Sequence, residues 1–271
     1  MNLIKKLIFS MKVEFNDEVL KGEILIDRQL TVFTGRNGTG KSYAAADIKK
    51  KSRHAEFGRL SPMRNAEIDN QRKGVYLSKK IGELVNRLET EMFGFEIKAK
   101  DGVETVAFGG RTIDVQKAPR SIEMFAPIIL NLKYGTFDGG LVVLDTPEAY
   151  QDPHNQILIA RFIARLANAG LKIVLVTHSN YIIRELNNMI MLSGVKDRRR
   201  AEFAEIIDKY AISPECAIST TDVRAYNFEG GEIKETEITR HGFEVKFVDD
   251  VIDRILQDRK LQWSDKLNGL E

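Results

Sequence analysis

Hydrophobic and polar positions change their period several times along this chain, and each change marks an element. Three short β-like runs open it, at Val13-Glu14-Phe15, Ile24-Leu25-Ile26 and Leu30-Thr31-Val32-Phe33, with turn-formers between them. Ala44, Ala45 and Ala46 then favour a helix from Lys41. Residues 53–77 carry weak periodicity and Pro62, which predicts an irregular segment. Ser78 is the predicted cap of a helix whose Ile81, Leu84, Val85 and Leu88 fall at helical spacing. Phe95, Ile97 and Ala99 alternate with Glu96, Lys98 and Lys100, and the Asp101-Gly102 turn predicts a hairpin returning over residues 103–107. A further strand is expected at residues 111–115 and a buried helix at 121–133.

The second half alternates strand and helix. Leu141-Val142-Val143-Leu144 and Ile173-Val174-Leu175-Val176 are unbroken apolar runs, the pattern of strands buried on both faces of a parallel sheet. Between them Ile159, Phe162, Ile163 and Leu166 mark a helix ending near Gly170. A helix from Asn180 carries Ile182, Leu186 and Met189, and Ile190-Met191-Leu192 reads as one more short strand. A strand pair at residues 223–228 and 233–238 follows, then a helix marked by Val248, Val251, Ile252 and Ile255. Such alternation is the signature of an α/β fold.

Composition narrows the class only slightly. The 271 residues are 43% hydrophobic and 30% charged, with 41 basic against 39 acidic side chains, a balance that argues neither for nor against nucleic acid. Basic runs at Lys49-Lys50-Lys51-Ser52-Arg53 and Arg198-Arg199-Arg200 suit solvated helix ends or loops, and contact with DNA or RNA through them is left open. Cys216 is the single cysteine, so no disulfide framework is expected and a reducing cytoplasm fits. The opening stretch from Met1 to Ser10 is broken by Lys5-Lys6; it is expected to be a strand, with no signal peptide or membrane span.

The chemistry concentrates in three motifs. Gly35-Arg36-Asn37-Gly38-Thr39-Gly40-Lys41-Ser42 fits G-x-x-x-x-G-K-[ST] in full, between a predicted strand and a predicted helix. Its glycines let backbone N–H groups converge on phosphates, Lys41 supplies charge, and the Ser42 hydroxyl suits Mg²⁺. Tyr43 extends the nucleotide-binding candidates by one residue. Asp145 ends a buried strand about a hundred residues later, where a P-loop enzyme needs its Mg²⁺-holding carboxylate. Thr177-His178-Ser179 ends the next strand, and neighbouring parallel strands bring their C-terminal ends to one ligand-binding edge, so His178 is placed to reach a γ-phosphate.

The phosphate loop, the run Val143-Leu144-Asp145-Thr146-Pro147-Glu148-Ala149-Tyr150-Gln151-Asp152-Pro153 and the segment Val176-Thr177-His178-Ser179 together resemble ABC-class ATPases. The nearer resemblance is to soluble SMC-, RecF- and OLD-like members, including small prokaryotic ATPases of phage-defence modules, rather than to transporter subunits. It implies a P-loop NTPase fold with an ABC-like mixed sheet, flanking helices and a small β-hairpin and helix arm. It also implies a homodimer with ATP and Mg²⁺ at the interface, and a separate effector or nuclease acting in DNA repair or phage defence. Ala118-Pro119-Arg120-Ser121-Ile122-Glu123, followed by Pro127, is similar in placement to the family's signature segment, though a glycine is missing; Arg120, Ser121 and Asp152 would face the partner's nucleotide. Gln71 or the Pro62-Met63-Arg64 segment corresponds to the glutamine loop. The expected division is an ATPase domain over residues 1–240, with its arm and signature region at about 53–133, and a helical extension over 241–271.

One departure bears on the reaction. The family places a water-polarising glutamate directly after the aspartate, and here Thr146 stands there, with Glu148 two places on. The expected activity is ATP hydrolysis slowed by that exchange, with Lys41, Asp145, Glu148 and His178 as the candidate catalytic set. The alternative is an ATP-dependent scaffold that does not hydrolyse, and a transporter ATPase subunit ranks behind both.

Overall fold

The computed structural model describes residues 10–51, 55–58, 76–135 and 141–245. The elements in chain order are β1 (Met11–Asn16), β2 (Lys21–Ile26), β3 (Leu30–Gly35), α1 (Lys41–Lys51), β4 (Ala55–Gly58) and α2 (Tyr76–Phe93). Next come β5 (Phe95–Lys100), β6 (Val103–Phe108), β7 (Arg111–Asp114), α3 (Arg120–Tyr134), β8 (Leu141–Asp145) and α4 (Pro153–Asn168). The chain continues through β9 (Lys172–Val176), α5 (Asn180–Arg198), α6 (Arg200–Tyr210), β10 (Val223–Glu229) and β11 (Glu232–Thr236).

Eight strands form one mixed sheet in the order β1-β2-β11-β10-β3-β9-β8-β4. From β10 to β4 every neighbouring pair is parallel, while β1 with β2 and β10 with β11 are antiparallel. The apolar runs of β3, β8 and β9 are buried on both faces, and alternate residues enter two different cores. Leu30, Val32, Val142, Leu144, Ile173 and Leu175 pack beneath α3, α4 and α5, whereas Phe33, Leu141, Val143, Val174 and Val176 face α1 and the β1–β2 hairpin. The result is a P-loop NTPase-type α/β fold in which the sheet is covered on both sides.

The predicted hairpin forms as β5 and β6, with Asp101 and Gly102 at φ 52° and 75°, the left-handed pair that a two-residue turn requires. With β7 it makes a three-stranded sheet beside α2 and α3. Ile81, Val85, Leu88, Phe95, Ile97 and Val106 of this region share one continuous core with the helices under the large sheet. Lys133 and Glu89 form a fully buried ion pair there, and Lys133 Nζ also donates to the Ile97 carbonyl at 2.5 Å, which ties α3, α2 and β5 together.

Three sequence expectations are corrected and one element was missed. Ile190, Met191 and Leu192 continue α5 instead of forming a strand, because Ile182, Leu186, Met189 and Ile190 already make a buried helical stripe that passes through them. Residues 55–58, expected to be irregular, pair in parallel with β8 at the sheet edge; four residues are too few to show a period. The helix after them starts at Tyr76, so Ser78 lies in its first turn and is not its cap. The segment of α6 was not anticipated, although Phe203, Ile206 and Ile207 have helical spacing and pack against the larger core. The predicted opening strand before Ser10, the glutamine-loop candidates Gln71 and Pro62-Met63-Arg64, and the helix marked by Val248 to Ile255 lie outside the described residues.

Candidate nucleotide site

Strand register assembles the site. Phe33 of β3 is opposite Val176 of β9, which is opposite Asp145 of β8, so the three motifs leave the sheet at one level and on one edge. Thr146 N–H continues the ladder to the Val176 carbonyl at 2.8 Å, and Thr177 N–H donates to Phe33 at 3.2 Å.

The loop between β3 and α1 needs glycine at two tight places. Gly35 has φ +134°, and a Cβ there would collide with the Phe228 carbonyl. Gly40 has φ +93°, and a Cβ would sit 2.7 Å from a methyl of the fully buried Leu20, so the β1–β2 turn braces the loop from below. Thr39 Oγ1 donates to the Arg36 carbonyl at 2.9 Å and closes the turn, while Arg36, Asn37 and Gly38 stay exposed at its rim. Tyr43, on the first turn of α1, is exposed and donates its hydroxyl to Asp17 at 2.8 Å.

Lys41 is 3% exposed and curls back onto its own loop. Its Nζ donates to the carbonyls of Gly35 at 2.9 Å and Arg36 at 2.6 Å. Burial pulls its pKa down to about 8, against the opposing pull of the Asp145 and Glu148 carboxylates. Ser42 Oγ donates to Asp145 Oδ1 at 3.3 Å, and Thr146 Oγ1 donates to the same oxygen at 2.9 Å. Ser42 and Asp145, from the loop and from β8, therefore adjoin as a hydroxyl and carboxylate pair suited to Mg²⁺.

Glu148 is buried and engaged on one oxygen only. Its Oε1 accepts from Thr177 Oγ1 at 2.8 Å and from His178 N–H at 2.7 Å, while Oε2 is buried without a partner. Burial raises its pKa, with those hydrogen bonds opposing the rise. The His178 ring is half-buried, with Nδ1 3.3 Å from the Gly35 carbonyl. That carbonyl only accepts, so Nδ1 carries the proton and Nε2 is left with its lone pair. Burial, and then the charge of Lys41, lower the His178 pKa, so the ring is neutral.

The remaining candidates form a second group. Arg120, in the first turn of α3, lies over the Tyr150 ring at 5.2 Å and pairs with Glu123 at 2.9 Å. The Ser121 carbonyl accepts from Gln151 Nε2 at 2.7 Å. Asp152 caps α4, accepting from Asn155 N–H at 3.0 Å. The structure thus brings Gly35 to Ser42, Asp145, Glu148 and His178 together, and places Arg120, Ser121 and Asp152 around the 148–152 turn instead. The basic run Lys49-Lys50-Lys51 occupies the last turn of α1, where Lys51 pairs with Asp47 at 2.8 Å. Gln151 and Gln156 were missed; a lone glutamine carries no spacing that distinguishes it from a surface residue.

No protein-family model matches this chain. It is similar to the energy-coupling factor transporter ATP-binding protein EcfA of Carboxydothermus hydrogenoformans, at 27% identity over 178 residues that cover 57% of this chain and 63% of that protein. The chain therefore matches less than two thirds of the length of that relative. Among solved structures it is similar to the SMC head domain from Thermotoga maritima, at 12% identity and a TM-score of 0.42, covering 82% of this chain and 95% of that one. Strand order and phosphate loop define the fold of this chain. Among the described residues, no helix is long and apolar enough to cross a membrane.

Proposed function

We propose that this chain is an ABC-class ATPase that binds ATP with Mg²⁺ at the Gly35–Ser42 loop, hydrolyses it slowly, and acts as a nucleotide-gated switch. The observation that carries this reading is the convergence of Lys41, Ser42, Asp145 and His178 on one sheet edge through the register of β3, β9 and β8. The donor set fits the group it would hold: Ser42 and Asp145 adjoin at 3.3 Å, and the glycine-built loop presents backbone N–H groups at the start of α1. Mg²⁺, when bound there, neutralises phosphate charge. Isothermal calorimetry with Mg-ATP tests the reading: the wild-type chain binds, and Lys41→Ala abolishes binding while the ligand-free thermal transition persists. Equal ATP affinity in the two proteins overturns it.

Each residue then has a distinct task. Lys41 exchanges two backbone carbonyls for phosphate oxygens, which turns a desolvated cation into half of an ion pair. Glu148 keeps Oε1 on the end of β9 and offers Oε2, the oxygen without a partner, to a water proton. His178, neutral at rest, regains charge when an anionic phosphate sits beside it and then donates to that phosphate. Arg36, Asn37, Gly38 and Thr39 line the loop, and Tyr43 sits beside its exit. Slow turnover is supported by Thr146, whose hydroxyl occupies Asp145 where the resembled family has a carboxylate.

A homodimer with ATP between protomers is part of the proposal, with Arg120, Ser121 and Asp152 of one chain facing the nucleotide of the other. Arg120 and Tyr150, both exposed and stacked, offer a cation and an aromatic ring for such a contact. A separate effector or nuclease in DNA repair or phage defence completes it, and a cytoplasmic location goes with it; both rest on the resemblance of the Asp145–Pro153 run. Residues 1–240 are proposed as the ATPase unit and 241–271 as its extension. A scaffold that binds ATP without turnover is the second reading, favoured by the engagement of Glu148 Oε1 by Thr177 and His178. Steady ATP binding with no phosphate release separates it from the first.

A further inference from the structure

A chain of side-chain hydrogen bonds leaves the phosphate end of this site and emerges at the start of α3. Thr177 Oγ1 donates to Glu148 Oε1 at 2.8 Å and accepts from Ser179 N–H at 3.0 Å. Ser179 Oγ donates to Gln156 Oε1 at 2.5 Å, and Gln156 Nε2 donates to the Gln151 carbonyl at 2.8 Å. Gln151 Nε2 then donates to the Ser121 carbonyl at 2.7 Å, and Gln151 N–H returns to the Glu148 carbonyl at 3.0 Å. Gln156 and Gln151 are fixed in amide orientation by this circuit, since each gives a proton to a carbonyl and Gln156 Oε1 takes one from a hydroxyl.

The segment enclosed by the circuit is strained. Among the described residues four that are not glycine have positive φ, and two of them, Thr146 at 57° and Tyr150 at 63°, bracket Glu148. A β-branched residue in that region is costly, and such strain persists where surrounding contacts hold it and can be released when they change. One end of the circuit is the buried Glu148 carboxylate, and the other is α3 where Arg120 is exposed over the Tyr150 ring.

We propose that Gln156 and Gln151 are positioning residues that transmit nucleotide occupancy from Glu148 and His178 to the Arg120–Ser121 end of α3. The inference rests on the ATP-site reading above and deepens it by naming how that site is coupled to its exposed rim. A phosphate that draws His178 toward itself pulls on Glu148 Oε1 through the His178 N–H, Glu148 passes the displacement to Thr177, and the glutamines carry it to α3.

Hydrogen–deuterium exchange with and without Mg-ATP tests this on the full chain, with ATP occupancy measured separately by calorimetry. In the wild-type chain, ATP slows exchange in the peptide over residues 118–126 by about fivefold or more, the lower end of couplings between distinct sites. Gln156→Leu and Gln151→Met each bind ATP within about twofold of wild type and lose that slowing, since their hydrogen bonds are removed at similar volume. The double variant loses no more than Gln151→Met alone, because the Gln151 bond to Ser121 is shared by the route through Gln156 and the route through the Gln151 N–H. Retained slowing in ATP-loaded Gln156→Leu and Gln151→Met overturns the proposal, as does ATP-loaded wild type with unchanged exchange at 118–126. Absence of ATP binding in the wild-type chain is a different failure and removes the ATP-site reading itself. If Gln156→Leu does not fold, Gln151→Met alone decides, because it breaks the last bond to α3.

Discussion

Replacing Glu148 separates its two tasks, because its two oxygens have different surroundings. Glu148→Ala strands two buried donors, Thr177 Oγ1–H and His178 N–H, each costing about 1–3 kcal/mol, so a loss of about 2–6 kcal/mol in unfolding free energy is expected. Glu148→Gln keeps volume and the accepting oxygen, and removes a desolvated carboxylate at the expense of one unpaired amide group. Its net effect on stability is about 1 kcal/mol or less. Both variants lose the base, so turnover falls about 10²–10⁴-fold in each. Binding of ATP to Glu148→Gln stays close to wild type, the pattern of an interaction made mainly in the transition state.

The pH dependence supplies a second readout. The folded Glu148 pKa lies above its ordinary 4.5, so the folded protein holds that proton more tightly than the unfolded chain does. The associated stability is fully present below the unfolded pKa and is lost as pH rises through the folded one. Wild type should therefore lose stability relative to Glu148→Gln from about pH 4.5 upward, until the folded pKa is passed. Urea unfolding across that range and a phosphate-release assay measure both effects. Wild-type turnover in Glu148→Gln refutes the base, and equal stability of the Ala and Gln variants refutes the clamp on β9.

Three other outcomes are expected. Thr146→Glu raises phosphate release, because a carboxylate replaces the hydroxyl beside Asp145 and relieves a β-branched residue at φ 57°; an unchanged rate in single-turnover assays removes the slow-switch reading. Mixing Lys41→Ala with an Arg120 or Ser121 variant restores activity that neither has alone, since one composite site of the mixed dimer is intact, and no recovery at any ratio counts against a shared site. Lys41 has a folded pKa lowered from 10.5 to about 8, so its buried charge disfavours the ligand-free fold at neutral pH and that penalty lifts as pH rises from about 8 to 10.5; calorimetry should show this gain in wild type and not in Lys41→Met.

The motifs that were legible are those whose physics is local. Glycine at 35 and 40 is demanded by backbone angles and close neighbours, and a strand buried on both faces has to be apolar throughout, as β8 and β9 are. The Asp101-Gly102 turn was readable for the same reason. Edge strand β4 was not, since its identity comes from pairing with β8 and four residues carry no period. The Ile190–Leu192 triplet misled because three adjacent apolar residues fit a strand as well as a helix, and the stripe begun at Ile182 decides between them only when packed.

The site divides in the same way. Linear order was enough to specify a phosphate loop, an aspartate at a strand end and a histidine at the next, because each motif carries its own backbone and charge requirements. Their meeting depended on the register of β3, β9 and β8, which sets β3 beside strands more than a hundred residues further along the chain. The protonation of Lys41, Glu148 and His178 follows from burial, and burial exists only once both faces of the sheet are covered. The glutamine circuit is furthest from sequence: the bond of Gln156 to the Gln151 carbonyl is local, but the Ser121 carbonyl of α3 and the Ser179 hydroxyl after β9 reach the two amides, within 3 Å, only on folding.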